Sequence, residues 1–139
     1  MSAVHTEAAR RWVGTPYHHQ ASVRGVGCDC LGLLRGVWRE VVGPEPEDIP
    51  PYSPDWDEVS GTDHMLRVCQ MWMTPAAEIG EGTVLIFRMR PDMVAKHCGI
   101  ASGAGTMIHA HSGRGVFEVS LTPWWLKKIA GLYNFPETV

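Results

Sequence analysis

The chain has 139 residues, 45% hydrophobic and 19% charged, with a net charge of −3, a balance that favours neither a disordered chain nor a coiled coil. A pI near 6.1 with scattered basic residues lacks the footprint of a nucleic-acid binder. No apolar run approaches the length of a bilayer span, so stable membrane insertion is not expected.

The length fits one domain, 1–139, able to bury about 68% of the surface its unfolded form exposes. Residues 1–11 contain His5, Glu7, Arg10 and Arg11 without an apolar stretch, so they do not read as a signal peptide and synthesis in the cytoplasm is expected. Residues 2–13 predict a short first helix that Gly14-Thr15-Pro16 stops. Residues 17–27 show no period and read as a loop. The main helix is expected over about 29–42, because Leu33, Leu34, Val37, Trp38 and Val41 recur at the spacing of a core-facing stripe. Cys30 falls on that stripe, in the first turn. Gly43-Pro44 ends the helix, and the prolines up to Pro54 predict an extended connection. A second helix is expected from Asp55 or Asp57 to Trp72 or Met73, with Gly61 weakening its first half. Beyond Gly82, residues 83–89, 96–102, 105–110, 115–119 and 131–135 read as strands separated by Gly-containing turns. Helices first and strands after predict an α+β fold with a central antiparallel sheet.

Cys28, Cys30, Cys69 and Cys98 are too few and too irregularly spaced for a disulfide framework and are expected as reduced thiols. Cys30 differs from the others in its place. The unpaired N–H groups of a helix's first turn carry partial positive charge, which stabilises a thiolate. Such a nucleophile needs a base, and two predicted strands carry His97 and His109. Opposing His97 to His109 in a hairpin makes Ser102-Gly103-Ala104 a three-residue loop, a common class. The imidazoles then stand side by side, one taking the thiol proton and the other orienting it. His111, on the same predicted face, is the alternative orienter. Proton transfer gives a thiolate–imidazolium pair at rest, and the Cys30 N–H is a natural oxyanion donor. Asp29 either caps the helix or contacts substrate. His18 and His19 lie in a loop beside a possible substrate cleft.

The successive motifs Gly14-Thr15-Pro16-Tyr17, Asp29-Cys30-Leu31-Gly32-Leu33, His97-Cys98-Gly99-Ile100 and Ile108-His109-Ala110 resemble those of the NlpC-type papain-like cell-wall peptidases. Tyr17-His18-His19-Gln20, Pro50-Pro51-Tyr52-Ser53-Pro54 and Thr122-Pro123-Trp124-Trp125 are similar to a subgroup found in phage tails and gene transfer agents. The resemblance implies a papain-like fold and cleavage of a stem-peptide bond of bacterial peptidoglycan, typically between γ-D-glutamate and a diamino acid, without a cofactor. It implies Cys30 as nucleophile, His97 as base and His109 as third polar residue, with the Tyr17 hydroxyl near the intermediate. It further implies tail hub or baseplate partners, and action on the periplasmic wall from a tail-like particle. Two positions depart from the family: Leu31 stands where many members have Ser, and His18-His19-Gln20 replaces a Gly-rich stretch.

Rival readings attach to the same residues. Cys28, Cys30, His97, Cys98 and His109 are zinc-ligand types, but Cys-x-Cys is not the usual spacing and His97 and Cys98 point to opposite faces of one strand. A tail adaptor with little activity would use the tryptophans and the proline-rich stretch for docking. An amidase or acyltransferase would share the acyl-thioester and differ in the group that attacks it.

Overall fold

The computed structural model describes residues 2–47, 63–103 and 105–136. Helix α1 spans Ser2–Arg10 and is followed by a tight turn, in which Trp12 and Val13 donate to the carbonyls of Ala9 and Arg10. The expected loop over 17–27 contains a small hairpin, β1 (Ser22–Val23) with β2 (Gly27–Cys28). Helix α2 follows at once, Cys30–Val41, burying Leu31, Leu33, Leu34 and Val37. Helix α3 (His64–Trp72) matches the second half of the second predicted helix. Its expected first half lies outside the described residues, as do residues 48–54 of the extended connection.

The remaining strands are β3 (Thr74–Pro75), β4 (Val84–Phe87), β5 (His97–Ala101), β6 (Thr106–His111), β7 (Gly115–Ser120) and β8 (Ile129–Asn134). They form an antiparallel sheet in the order β3-β8-β4-β5-β6-β7. The α+β expectation is met. Between β7 and β8 stands a short helix, α4 (Pro123–Leu126), that the strand pattern did not predict. Thr122-Pro123 at its start is nevertheless a helix-initiation signal.

Two apolar layers cover the sheet. On one face Val84, Ile86, Cys98, Ile100, Ile108 and Ala110 pack with Leu33, Leu34 and Val37 of α2 and with Trp12. On the other, Leu85, Phe87, Ala101 and Met107 lie under Trp125, Val119, Leu121, Ile129 and Leu132. Being covered on both sides, β4 is the continuous apolar run Val-Leu-Ile-Phe with every residue buried. Among the described residues, no helix is long and apolar enough to cross a membrane.

The β5–β6 register corrects one expectation. Ile100 opposes Ile108 and Ala101 opposes Met107, so His97 and His109 are not directly opposed. Ser102 donates its N–H to the Thr106 carbonyl at 3.0 Å, so Ser102 pairs with Thr106 instead of falling in the turn. Gly105 is the reason: its φ of 74° is in the left-handed region, which suits a turn and not a strand. Moving the turn by one residue slides each opposed pair by two positions along the ladder. The side-chain period of two therefore keeps both histidines on one face, now as diagonal neighbours.

Candidate active site

Asp29 sets the position of Cys30. It is the N-cap of α2, with Oδ1 accepting from the Gly32 N–H and Oδ2 from the Gln20 N–H, each at 2.7 Å. Only 3% of Asp29 is exposed, so of the two roles expected for it the geometry displays capping, and little surface remains for a substrate. Gln20 adopts φ 66°, a conformation that favours glycine, and its bond to Asp29 offsets that strain. The replacement of a Gly-rich stretch by His18-His19-Gln20 is thereby accommodated. Gly32 lets the first turn lie flush against this loop, because a Cβ there would collide with the Ala21 carbonyl oxygen. Leu31 turns into the apolar core and is 7% exposed.

Cys30, the first helical residue, is half-buried. Its N–H is in the first turn, where no carbonyl of the preceding turn can accept it. Its thiol lies 3.6 Å from the Lys96 carbonyl, beside the start of β5. The Cys30 thiol is held well below the ordinary thiol range, first by a hydrogen bond from Cys98 and then by the hydrogen bond and charge of His97. Burial and the Asp29 carboxylate oppose this.

His97 Nε2 lies 2.8 Å from His109 Nδ1. With Nε2 so engaged, Nδ1 is the nitrogen available to Cys30. His109 is 1% exposed, and burial, followed by the charges of His97, His111 and Arg114, pushes it down to about 3. It is therefore a neutral imidazole near pH 7. When His97 carries two protons, His109 must accept at Nδ1, which leaves its own proton on Nε2. That Nε2 is buried without a hydrogen-bond partner among the described residues. Aromatic rings surround it: Phe117, its direct cross-strand neighbour, at 5.2 Å and Trp125 at 5.3 Å between ring centroids. Trp125 also stacks on His97 at 5.7 Å. One indole thus covers both imidazoles.

Tyr17 packs beside Cys30 at the edge of the core, and burial followed by the neighbouring Cys30 and Asp29 raises its phenol to about 12. It remains a hydrogen-bond donor throughout the physiological range. His18 is exposed and rests against Gly27. His19 Nδ1 stands 3.8 Å from Asp29. His111 is exposed with Nδ1 on the Ser112 carbonyl at 2.9 Å, so it is His109 that meets His97. Cys28 is fully buried, and burial lifts its thiol to about 12. Sequence reasoning gave Trp125 no part in the site and weighed Cys98 only as a possible zinc ligand. The adjacent tryptophans after a helix-start signal were the available clue to the first.

A thiol held below its ordinary range at a helix start, with His97 acting on it and a second imidazole behind that one, is an arrangement suited to acyl transfer through a thioester. A sequence profile of the NlpC/P60 family matches residues 14–132, which contain all of these groups. The chain belongs to the NlpC/P60 family. Similar solved structures include the NlpC/p60 domain of the peptidoglycan hydrolase SagA, at 24% identity and TM-score 0.64, over 97% of this chain and 99% of that one. An NlpC/P60 family protein from Bacillus cereus ATCC 10987 matches at 19% identity and TM-score 0.67, over 97% of this chain and 40% of that one. The peptidoglycan hydrolase RipB from Mycobacterium tuberculosis matches at 20% identity and TM-score 0.57, over 96% and 65%. The chain thus covers all but a sliver of the SagA domain and less than half of the Bacillus cereus protein. At these identities the likeness establishes the NlpC/P60 papain-like fold. No curated protein matches the sequence.

Proposed function

We propose that the protein is a cysteine endopeptidase that hydrolyses a stem-peptide bond of bacterial peptidoglycan, between γ-D-glutamate and a diamino acid. The observations that carry this reading are the Cys30 thiol at the start of α2, held below its ordinary range in part by His97, and the 2.8 Å contact of His97 with His109 behind it. Membership of the NlpC/P60 family and the resemblance of the four motifs supply the substrate class. The Cys30 thiolate attacks the scissile carbonyl carbon, and the carbonyl electron pair moves to oxygen. The Cys30 N–H and the Tyr17 hydroxyl stabilise that oxyanion. Collapse of the intermediate breaks the C–N bond, and His97 Nδ1 gives its proton to the departing amine. Water then attacks the thioester, returning a proton to His97, and the acid leaves as the thiolate reforms. His109 accepts from His97 Nε2 throughout and keeps the ring in its productive orientation.

The setting we propose is a tail-like particle of a phage or gene transfer agent. The protein would be made in the cytoplasm, dock on hub or baseplate proteins and act on the periplasmic wall. The Tyr17-His18-His19-Gln20 and Trp124-Trp125 resemblances support this setting, and exposed Met71 and Trp124, 57% and 56% accessible, offer apolar docking surface. They also favour the second reading, a docked subunit with little activity.

Mass spectrometry of digested peptidoglycan tests the proposal. Wild type should release fragments newly ended at D-glutamate and at the diamino acid amine. Cys30→Ala should lower that release by about a thousandfold or more while melting like wild type. Equal release by the two proteins contradicts the enzyme reading, and transfer to an added amine without hydrolysis identifies an acyltransferase.

A further inference from the structure

Cys98 touches Cys30, yet the mechanism above leaves it without a task. It follows His97 on β5, and because successive strand residues point to opposite faces, the two reach the nucleophile from different sides. His97 belongs to the face under Trp125, whereas Cys98 belongs to the core beneath α2 and is 2% exposed. The Cys98 S–H donates to the Cys30 carbonyl oxygen at 3.2 Å. The Cys98 side chain also acts on the Cys30 sulfur, drawing the Cys30 thiol down while its own is pushed up. A single S–H rotor thus stands 3.2 Å from the Cys30 carbonyl, next to the Cys30 side chain.

The surroundings of the Cys30 sulfur make that nearness matter. In the thiol form, Cys30 donates its proton to the Lys96 carbonyl at 3.6 Å. Once that proton is gone, a negative sulfur faces a carbonyl oxygen, and the Asp29 carboxylate lies close behind. His97 supplies one favourable contact. Tyr17 and Cys28, from the preceding loop, are neighbouring groups that stay protonated. We propose that Cys98 is a positioning residue, whose S–H swings from the Cys30 carbonyl to the Cys30 sulfur when the thiolate forms and holds that anion in line with His97. Charge strengthens the new bond, since hydrogen bonds to an ionised acceptor are about twice as strong as neutral ones. Cys98 itself stays a thiol, because the Cys30 neighbour and burial push it well above the ordinary thiol range. No proton leaves Cys98; only the direction of its S–H changes.

This inference rests on Cys30 being the nucleophile, and its test reads the Cys30 sulfur without any peptidoglycan. The rate of Cys30 alkylation by iodoacetamide is followed against pH, with the labelled peptide identified by mass spectrometry. Cys98→Val keeps an apolar side chain, with one added methyl, but has no donor. Cys98→Ser keeps the donor. The expected result is a midpoint about one pH unit higher in Cys98→Val than in wild type, with Cys98→Ser restoring it. Cys98→Ala, which adds no bulk, should reproduce the upward shift if the valine variant melts early. A midpoint unmoved in both donor-less variants overturns the proposal, as does a shift equally large in Cys98→Ser, which would assign Cys98 to packing alone. A wild type that cleaves no wall but shows the predicted shifts would overturn the hydrolase reading and uphold this one.

Discussion

The two faces of the sheet are built from the same alternating strands and do different work. The face beneath α2 is aliphatic: Ile100, Ile108 and Ala110 meet Leu33, Leu34 and Val37, and burial there serves to hold the start of α2 in place. The face beneath α4 carries His97 and His109 among Phe87, Phe117 and Trp125. Burial there removes water from His109 and forces it to stay neutral. The first face fixes where the thiol stands. The second holds His109 neutral behind His97, and the Cys30 thiol lies beside the start of β5, where both faces reach it.

If that division is right, substitutions on the imidazole face should alter pH behaviour and those on the aliphatic face only stability. The largest contrast is expected from His109→Gln, which keeps an acceptor for His97 but cannot titrate. Wall hydrolysis should fall about tenfold. Because the native His109 pKa is about 3 and the unfolded value lies near 6.5, the unfolded chain holds the extra proton between those values. Wild-type stability should therefore be lost as pH falls from about 6.5 toward 3, by about 1.4 kcal/mol for each unit. In His109→Gln, thermal melts should show a flatter curve over that window; an identical curve would mean that His109 titrates normally. Trp125→Ala readmits water to both rings, so the His109 ring resonances in NMR should titrate above pH 3, with a several-fold loss of activity. The smallest effect is expected from Ile100→Val, which should cost about 1 kcal/mol in denaturant unfolding and leave the pH profile of hydrolysis unchanged. A shifted profile there would show the two faces to be coupled.

The parts of this arrangement that depend on local pattern were legible in the residues. The stripe of Leu33, Leu34 and Val37 located α2, and Asp29 before it marked the cap. The even side-chain period was enough to place His97 and His109 on one face, although the directly opposed pairing was wrong. That error turned on Gly105, whose left-handed backbone draws it into the turn, a preference that glycine permits without dictating. Other features came from chain crossings that no local pattern contains. Trp125 covers the imidazoles because α4 returns over the sheet, and Cys98 meets Cys30 because β5 runs beneath the start of α2. Leu31, a departure from the family pattern, proved to be a core side chain next to the site.

The central claim is that Cys30 exists as a thiolate sustained by His97, and pH-dependent alkylation of Cys30 tests it most directly. In wild type the alkylation rate should rise with a midpoint well below the ordinary thiol range. In His97→Ala that midpoint should move up by about two pH units, with the melting temperature unchanged. A wild-type midpoint at an ordinary thiol value, unmoved by His97→Ala, would contradict the account.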